Sequence, residues 1–213
     1  MTMPTNSHRL AAQTDTPWTG TMNSGGYRVV EAITEEHRLG ELAVRWDVFV
    51  VEQHCPIVCE IDARDYDPAV IHFVCLATQR TVSDPPSDSV LVPDTTDEQV
   101  GDVGGEYVVG CVRLIPDEPG HFHLGRLAVR KEYRSEKIGA ALVRGLHEYL
   151  AAHTPRGSDV GVVLNAQVQA AGFYAKQGYV VTSKETFWEA GIEHVEMARR
   201  ISGTADCGDG RLD

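Results

Sequence analysis

The chain has 213 residues, 42% of them hydrophobic and 23% charged, an ordinary balance for one sizeable globular domain with polar ends. Its formal net charge of −12 argues against general nucleic-acid binding, which needs clustered Lys and Arg, yet leaves room for a small anionic ligand held by backbone N–H groups. Five scattered cysteines, no secretory apolar region and no membrane-length apolar run predict a reduced, cytoplasmic setting with no membrane contact.

Residues 1–26 are small, polar and punctuated by Gly and Pro, and are expected to form a disordered N-terminal tail. Residues 27–33 alternate well enough for a first strand. Thr34 followed by Glu35 and Glu36 reads as a helix N-cap with acids in the first turn. Leu39, Leu42, Ala43, Trp46, Phe49 and Val50 then supply one apolar helical face, which Pro56 ends. An acid-rich loop with Glu60, Asp62, Asp65 and Asp67 leads into a β-type run over 70–77. Residues 81–106 carry seven acids, three prolines and no Lys or Arg, and are expected to be a disordered acidic insertion between paired strands.

Strands are predicted over 107–115 and 122–129, joined by a Pro- and Gly-bearing turn at 116–120. Ile138, Ala141, Leu142, Gly145, Leu146, Tyr149 and Leu150 then repeat at helical spacing, ending before Pro155. Residues 160–164 read as a short, fully buried strand, and 166–177 as a helix with Gly178 as its left-handed cap. Strands over 179–182 and 194–201 close the sheet, and 202–213 is expected to be a disordered tail. The order β-α-(α)-β-β-β-α-β-α-β-β implies a mixed α/β (α+β) layer.

The turn 134–139 joins the strand at 122–129 to the long helix, where several backbone N–H groups lack a helical partner. It reads either as a solvated helix start or as a cradle for an anion. A Walker-type loop is excluded, because no G-x-x-x-x-G-K-[ST] occurs.

Arg134-x-x-Lys137-x-Gly139, preceded by Arg126-Leu127-Ala128-Val129, resembles the [Q/R]-x-x-G-x-[G/A] signature of the GNAT superfamily of acyl-CoA-dependent N-acyltransferases. A second block, Gln167-x-x-Ala170-x-x-Phe173-Tyr174-x-Lys176-x-Gly178-Tyr179, is similar to that family's N-x-x-A-x-x-F-Y-x-x-x-G-[FY]. The resemblance spans 27–201, which marks that stretch as the expected GNAT domain, and finer features resemble a small branch of undefined substrate. It implies a GNAT-like, mostly antiparallel central sheet with helices on both faces. It also implies use of acyl-CoA, but no particular substrate; the expected reaction is acetyl transfer from acetyl-CoA to a small primary amine, the alternatives being a regulatory acyl-CoA-binding module or an acetyltransferase of protein N-termini or lysines. Two residues depart from the signature. Lys137 replaces its first glycine, a position that lysine could hold only if its dihedrals are not left-handed, and Gln167 stands where Asn is usual.

The same resemblance implies that Leu127, Ala128 and Val129 pair with the pantetheine arm, with an N–H there, that of Val129, stabilising the oxyanion. Arg134, Ser135, Glu136, Lys137, Ile138, Gly139 and Ala140 would cradle the pyrophosphate, with Asn165, Gln167, Phe173 and Tyr174 completing the coenzyme site. Tyr174 matches the position that protonates the departing thiolate. For the general base, His123 and Glu60 rank first, ahead of His121, His72, Asp62 and Glu196. By the two-residue period, His121 and His123 share a face with Gly125 and Leu127. His54, Cys55 and Cys59 lack a second Cys/His pair, so no metal is expected. A homodimer is an expectation from the resemblance alone.

Overall fold

The computed structural model describes residues 17–20, 26–78, 102–103 and 105–206. Expectations for 1–16, 21–25, 79–101, 104 and 207–213, including most of the acidic insertion, lie outside these.

Strands β1 (Tyr27–Glu31), β2 (Ile71–Ala77), β3 (Asp102–Val103), β4 (Glu106–Glu118), β5 (His121–Val129), β6 (Asp159–Gln167), β7 (Val180–Glu189) and β8 (Ile192–Ser202) form one sheet. Its order is β1-β2-β4-β5-β6-β8-β7, with β3 beside β4. Among the described pairings only β5 with β6 is parallel. The helices are α1 (Glu35–Arg45), α2 (Ile57–Glu60), α3 (Ile138–His153) and α4 (Ala171–Lys176), and a π-helical stretch Trp46–Glu52 prolongs α1.

Alternating strand residues feed two cores. Phe73, Cys75, Val112, Leu114, Phe122 and Leu124 pack with Leu142, Val143, Leu146 and Leu150 of α3 on one face. Val74, Leu76, Val108, Cys111 and Ala128 pack with Val44 and Val48 on the other. Each fully buried aliphatic side chain contributes roughly 1.5–3 kcal/mol. Both faces are covered, which is why every residue of β2 is buried.

Several expectations need correcting. Thr34 does cap α1, accepting from the His37 N–H at 3.2 Å. The buried face of α1, however, holds His37, Gly40, Glu41, Val44 and Arg45, whereas Leu39 is 48% exposed. Ionic partners beneath the helix let charged residues take the inner face, and the wider winding from Trp46 onward re-aims the side chains that follow. β6 runs through Ala166 and Gln167 with alternating burial, and the regular turns of α4 begin only at Ala171. β7 continues to Glu189.

The chain ends are also more engaged than composition suggests. Trp18 packs edge-on against Phe73 with ring centroids 5.7 Å apart. Gly20 donates to Val29 O at 2.8 Å, and Glu31 donates to Trp18 O at 3.0 Å. At the other end, Gly203 donates to Ser158 O and Thr204 to Ala151 O, both at 2.8 Å. Asp102 and Val103, placed by sequence in the insertion, pair with Tyr107 and Glu106.

Candidate active site

β5 and β6 pair only at His121–Gly161, Phe122–Val162 and His123–Val163. Beyond these pairs β5 continues to Val129 and β6 to Gln167, so the two parallel strands part and leave a cleft in the middle of the sheet. Opposite the cleft, β5 is held by β4, but its register slips between Cys111–Ala128 and Arg113–Gly125. The extra residue makes a β-bulge at Arg126, whose φ of 53° is left-handed. For a non-glycine residue that conformation costs about 1–2 kcal/mol.

The bulge changes which side chains share a face. Leu127 and Val129 pack against the α3-side core and Ala128 against the α1-side core. Before the bulge, Phe122 and Leu124 face α3, so His123 and Gly125 face α1. Leu127 therefore does not share a face with His123, as strict alternation predicts. A Cβ added at Gly125 would meet nothing within 4 Å, so open space lies beside His123.

The bulge also aims a donor. The Arg126 carbonyl accepts a contact from Cys111 Sγ at 3.5 Å, on the β4 side. No peptide is cis among the described residues, and in a trans peptide the N–H opposes the C=O. The Leu127 N–H therefore points away from β4, toward the cleft. Arg130 donates to Val109 O at 2.9 Å, so alternation turns Val129 to the cleft edge as well. Its carbonyl is already taken, by Arg134 Nε at 3.1 Å.

After β5 a 3-10 turn, Lys131–Glu136, leads to Lys137 and then α3. Lys137 has φ 58° and ψ 22°, so the lysine does adopt the left-handed backbone of a cap glycine, contrary to the expectation. The first bond within α3 runs from Ala141 N to Lys137 O at 3.0 Å, which leaves the N–H groups of Ile138, Gly139 and Ala140 without a helical acceptor. A Cβ on Gly139 would lie 3.4 Å from Phe173, so this glycine brings α3 close to α4. Arg134 is exposed, yet its guanidinium is not free. Its fork is held by Glu52, Nη1–Oε1 and Nη2–Oε2 both at 2.6 Å. Ser135 and Glu136 are exposed on the same turn. From β6, Gln167 Nε2 donates to Gln53 Oε1 at 3.0 Å, and Asn165 lies two residues earlier on the same face. Glu52 and Gln53 thus touch both arms of the cleft.

Tyr174 projects from α4 into the α3-side core, with ring centroids 5.0 Å from Phe173 and 5.9 Å from Tyr179. Burial raises its phenol pKa, so it stays protonated through neutral pH. On the other face, burial lowers the His123 pKa, which favours the neutral imidazole that can accept a proton. Asp117, Arg64, Glu189 and Arg113 are the charges that act on it.

The remaining base candidates are committed elsewhere. Glu60 is 5% exposed, with Oε1 lying 2.6 Å from Arg45 Nε and 3.2 Å from Arg126 Nε. Burial raises its pKa against the pull of both guanidinium groups. Its carboxylate belongs to a buried ionic network and not to a free base. Asp62 pairs with Arg113 at 2.9 Å. His72 Nδ1 meets Glu41 Oε1 at 2.9 Å inside the core. Glu196 bonds Thr182, and His121 is exposed. Sequence reasoning gave no role to Arg45, Arg113 or Arg126. Arg45 was detectable as the i+4 partner of Glu41, whereas the other two sit in strands whose partners lie some fifty to seventy residues away. Among the described residues, no group of three His, Cys, Asp or Glu is placed to hold a metal ion, and no helix is long and apolar enough to cross a membrane.

Comparison with known proteins agrees with this geometry. The profile of the acetyltransferase (GNAT) domain matches residues 100–201. The chain is 31% identical to the uncharacterized N-acetyltransferase YjcF of Bacillus subtilis, over 81% of this chain and 99% of that protein. The crystal structure of Escherichia coli ElaA superposes with a TM-score of 0.58 at 24% identity, covering 81% of this chain and 98% of that one. An acyl-CoA N-acyltransferase from Pseudomonas aeruginosa gives 0.57 at 22% identity, over 81% and 98%. The splayed strand pair thus lies within an acyltransferase fold that uses acyl-CoA, and the chain belongs to the GNAT family.

Proposed function

We propose that the protein is an N-acetyltransferase that moves the acetyl group of acetyl-CoA to a primary amine of a small acceptor by direct attack. The observation that carries this reading is a set of open donors in two places: the Leu127 N–H at the cleft edge, and the Ile138, Gly139 and Ala140 N–H groups at the start of α3. The pantetheine arm would lie along the free edge of residues 124–129, opposite Asn165 and Gln167, with Ala128 anchoring the strand to β4. The pyrophosphate would sit over the helix start, where unpaired N–H groups and the helix dipole favour an anion. The turn residues Arg134, Ser135, Glu136 and Lys137 would frame it, with Phe173 closing the side toward α4.

In the reaction, the amine nitrogen adds to the thioester carbon, and the Leu127 N–H stabilises the charge gathering on oxygen. The carbon–sulfur bond then breaks. His123, neutral and facing the open space at Gly125, takes the proton from the amine, and Tyr174 gives its proton to the departing thiolate. The experiment is calorimetric titration with acetyl-CoA, followed by measurement of free thiol release across an amine panel. Binding with amine-dependent thiol release is expected. A well-folded protein that binds no acetyl-CoA would sink the reading, and binding without release with any amine would reduce it to a binding module.

A further inference from the structure

Arg126 occupies an unusual position. Four non-glycine residues have positive φ among the described residues, and His54, Lys137 and Ala190 lie in turns or caps. Only Arg126 holds this backbone inside a strand. A left-handed arginine in a strand persists where something else fixes it. Here its own side chain does so. Nη2 donates to Cys59 O at 2.7 Å and Nε to Glu60 O at 3.3 Å. Nε also lies 3.2 Å from Glu60 Oε1, and Nη2 lies 3.4 Å from Asp62 Oδ2. These acceptors are themselves anchored. Glu60 is bound by Arg45 from α1, and Asp62 is held by two bonds from Arg113 of β4, at 3.0 and 2.9 Å. The guanidinium is thus fixed from β4 and α1 at once, and it pulls the bulge toward the 59–62 loop.

Building on the acyl-CoA reading above, we infer that Arg126 is the positioning residue for the thioester carbonyl. Its left-handed backbone and clamped side chain orient the Arg126–Leu127 peptide. Cys111 Sγ engages the carbonyl end of that peptide, and the N–H end faces the cleft. The arginine touches no substrate. It acts through the peptide that follows it, and through that peptide it distinguishes an acylated coenzyme from the free thiol. The carboxylate pairing of Glu60 with Arg45 survives its removal, so the core loses no sole counter-ion.

Arg126→Gly tests this cleanly, because glycine accepts the same φ while removing the clamp. Calorimetry with CoA and with acetyl-CoA, on the native protein and the variant, reads the two halves separately. The expected result is an unchanged CoA affinity and a loss of about fivefold in the preference for acetyl-CoA over CoA, the worth of one hydrogen bond. The infrared band of an isotope-labelled acetyl carbonyl should also move toward its value in water. Arg126→Lys, which retains one charged contact, should fall between the two, and it carries the test if the glycine variant fails to fold. Retention of both the preference and the band position in Arg126→Gly would overturn the inference alone. If neither ligand binds the native protein, the acyl-CoA reading fails and the inference falls with it.

Discussion

Arg45 of α1 meets Asp65 through two hydrogen bonds, Nη1–Oδ1 at 2.7 Å and Nη2–Oδ2 at 3.0 Å, with the arginine only 1% exposed. Arg113 of β4 reaches the same Asp65 oxygen at 2.7 Å, so one carboxylate ties a helix to the middle of the sheet. Burial alone would raise the Asp65 pKa, but the bonds and charges of Arg45 and Arg113 outweigh it and hold the carboxyl well below the usual range. Replacing Asp65 with Asn leaves buried positive charge without its partner and is expected to cost about 3 kcal/mol or more. The shift in urea midpoint measures it, and a loss under about 1 kcal/mol would contradict the network's role.

Acid should destabilise the protein before its carboxylates titrate. His147 is 9% exposed, and burial together with the Arg199 charge pushes its pKa down to about 4. Arg199 can only donate, so His147 Nδ1 accepts from it at 3.2 Å and the Nε2 proton is given to the Tyr179 hydroxyl at 2.9 Å. The unfolded chain, with an ordinary histidine pKa near 6.5, binds this proton first. The stabilisation is therefore complete above about pH 6.5 and drains away as pH falls toward 4, by roughly 3 kcal/mol at most. Burial lowers His37 and His123 in the same direction, so they add to the slope. In His147→Gln, whose amide can serve both partners, the urea midpoint should depend less steeply on pH between 6.5 and 5.

If Tyr174 protonates the thiolate as proposed, Tyr174→Phe is expected to lower turnover by about 100-fold while leaving acetyl-CoA affinity nearly intact, since only the phenol hydroxyl is removed. Single-turnover kinetics beside calorimetry would separate the two effects. Unimpaired turnover would remove Tyr174 from the mechanism.

Lys137 carries a backbone suited to glycine, with φ 58°. Relief of that strain, less the extra freedom glycine has when unfolded, should make Lys137→Gly more stable by about 0.5–1 kcal/mol. Acetyl-CoA affinity should stay within about twofold, because the three N–H groups that follow keep their direction. A marked loss would assign the ammonium a share in holding phosphate.

Glu52 fills the fork of Arg134, an exposed cation that would otherwise be available to an anion. Glu52→Gln is expected to tighten acetyl-CoA binding about threefold and to steepen its dependence on salt. Titrations at two ionic strengths would show this, and weaker binding would mean that the pair holds the cleft open.

Much of the fold was legible because strand and helix periods are local. The α3 stripe and the Gly178 cap, at φ 85°, were read from spacing alone. The face of α1 was not, because its inner side is polar and is justified only by partners at Asp65 and His72, twenty to thirty residues on. The site divides similarly. Its turn and Tyr174 carry recognisable neighbours in sequence, whereas the bulge at Arg126 depends on a register slip against β4 that no single strand reveals. Glu60 illustrates the reverse error, since an acid in an acidic loop reads as available until its arginines are placed around it.

The Trp18 contact bears on where the protein can be shortened. A version starting at Tyr27, the first strand residue, would lose the ring that fills the space over Gly145 and the Thr19–Val30 bridge. The outer rim of β1 would then offer bare hydrogen-bonding groups to any passing strand. Such a truncated product should express as aggregate rather than as a smaller enzyme, and its insolubility would say nothing about catalysis.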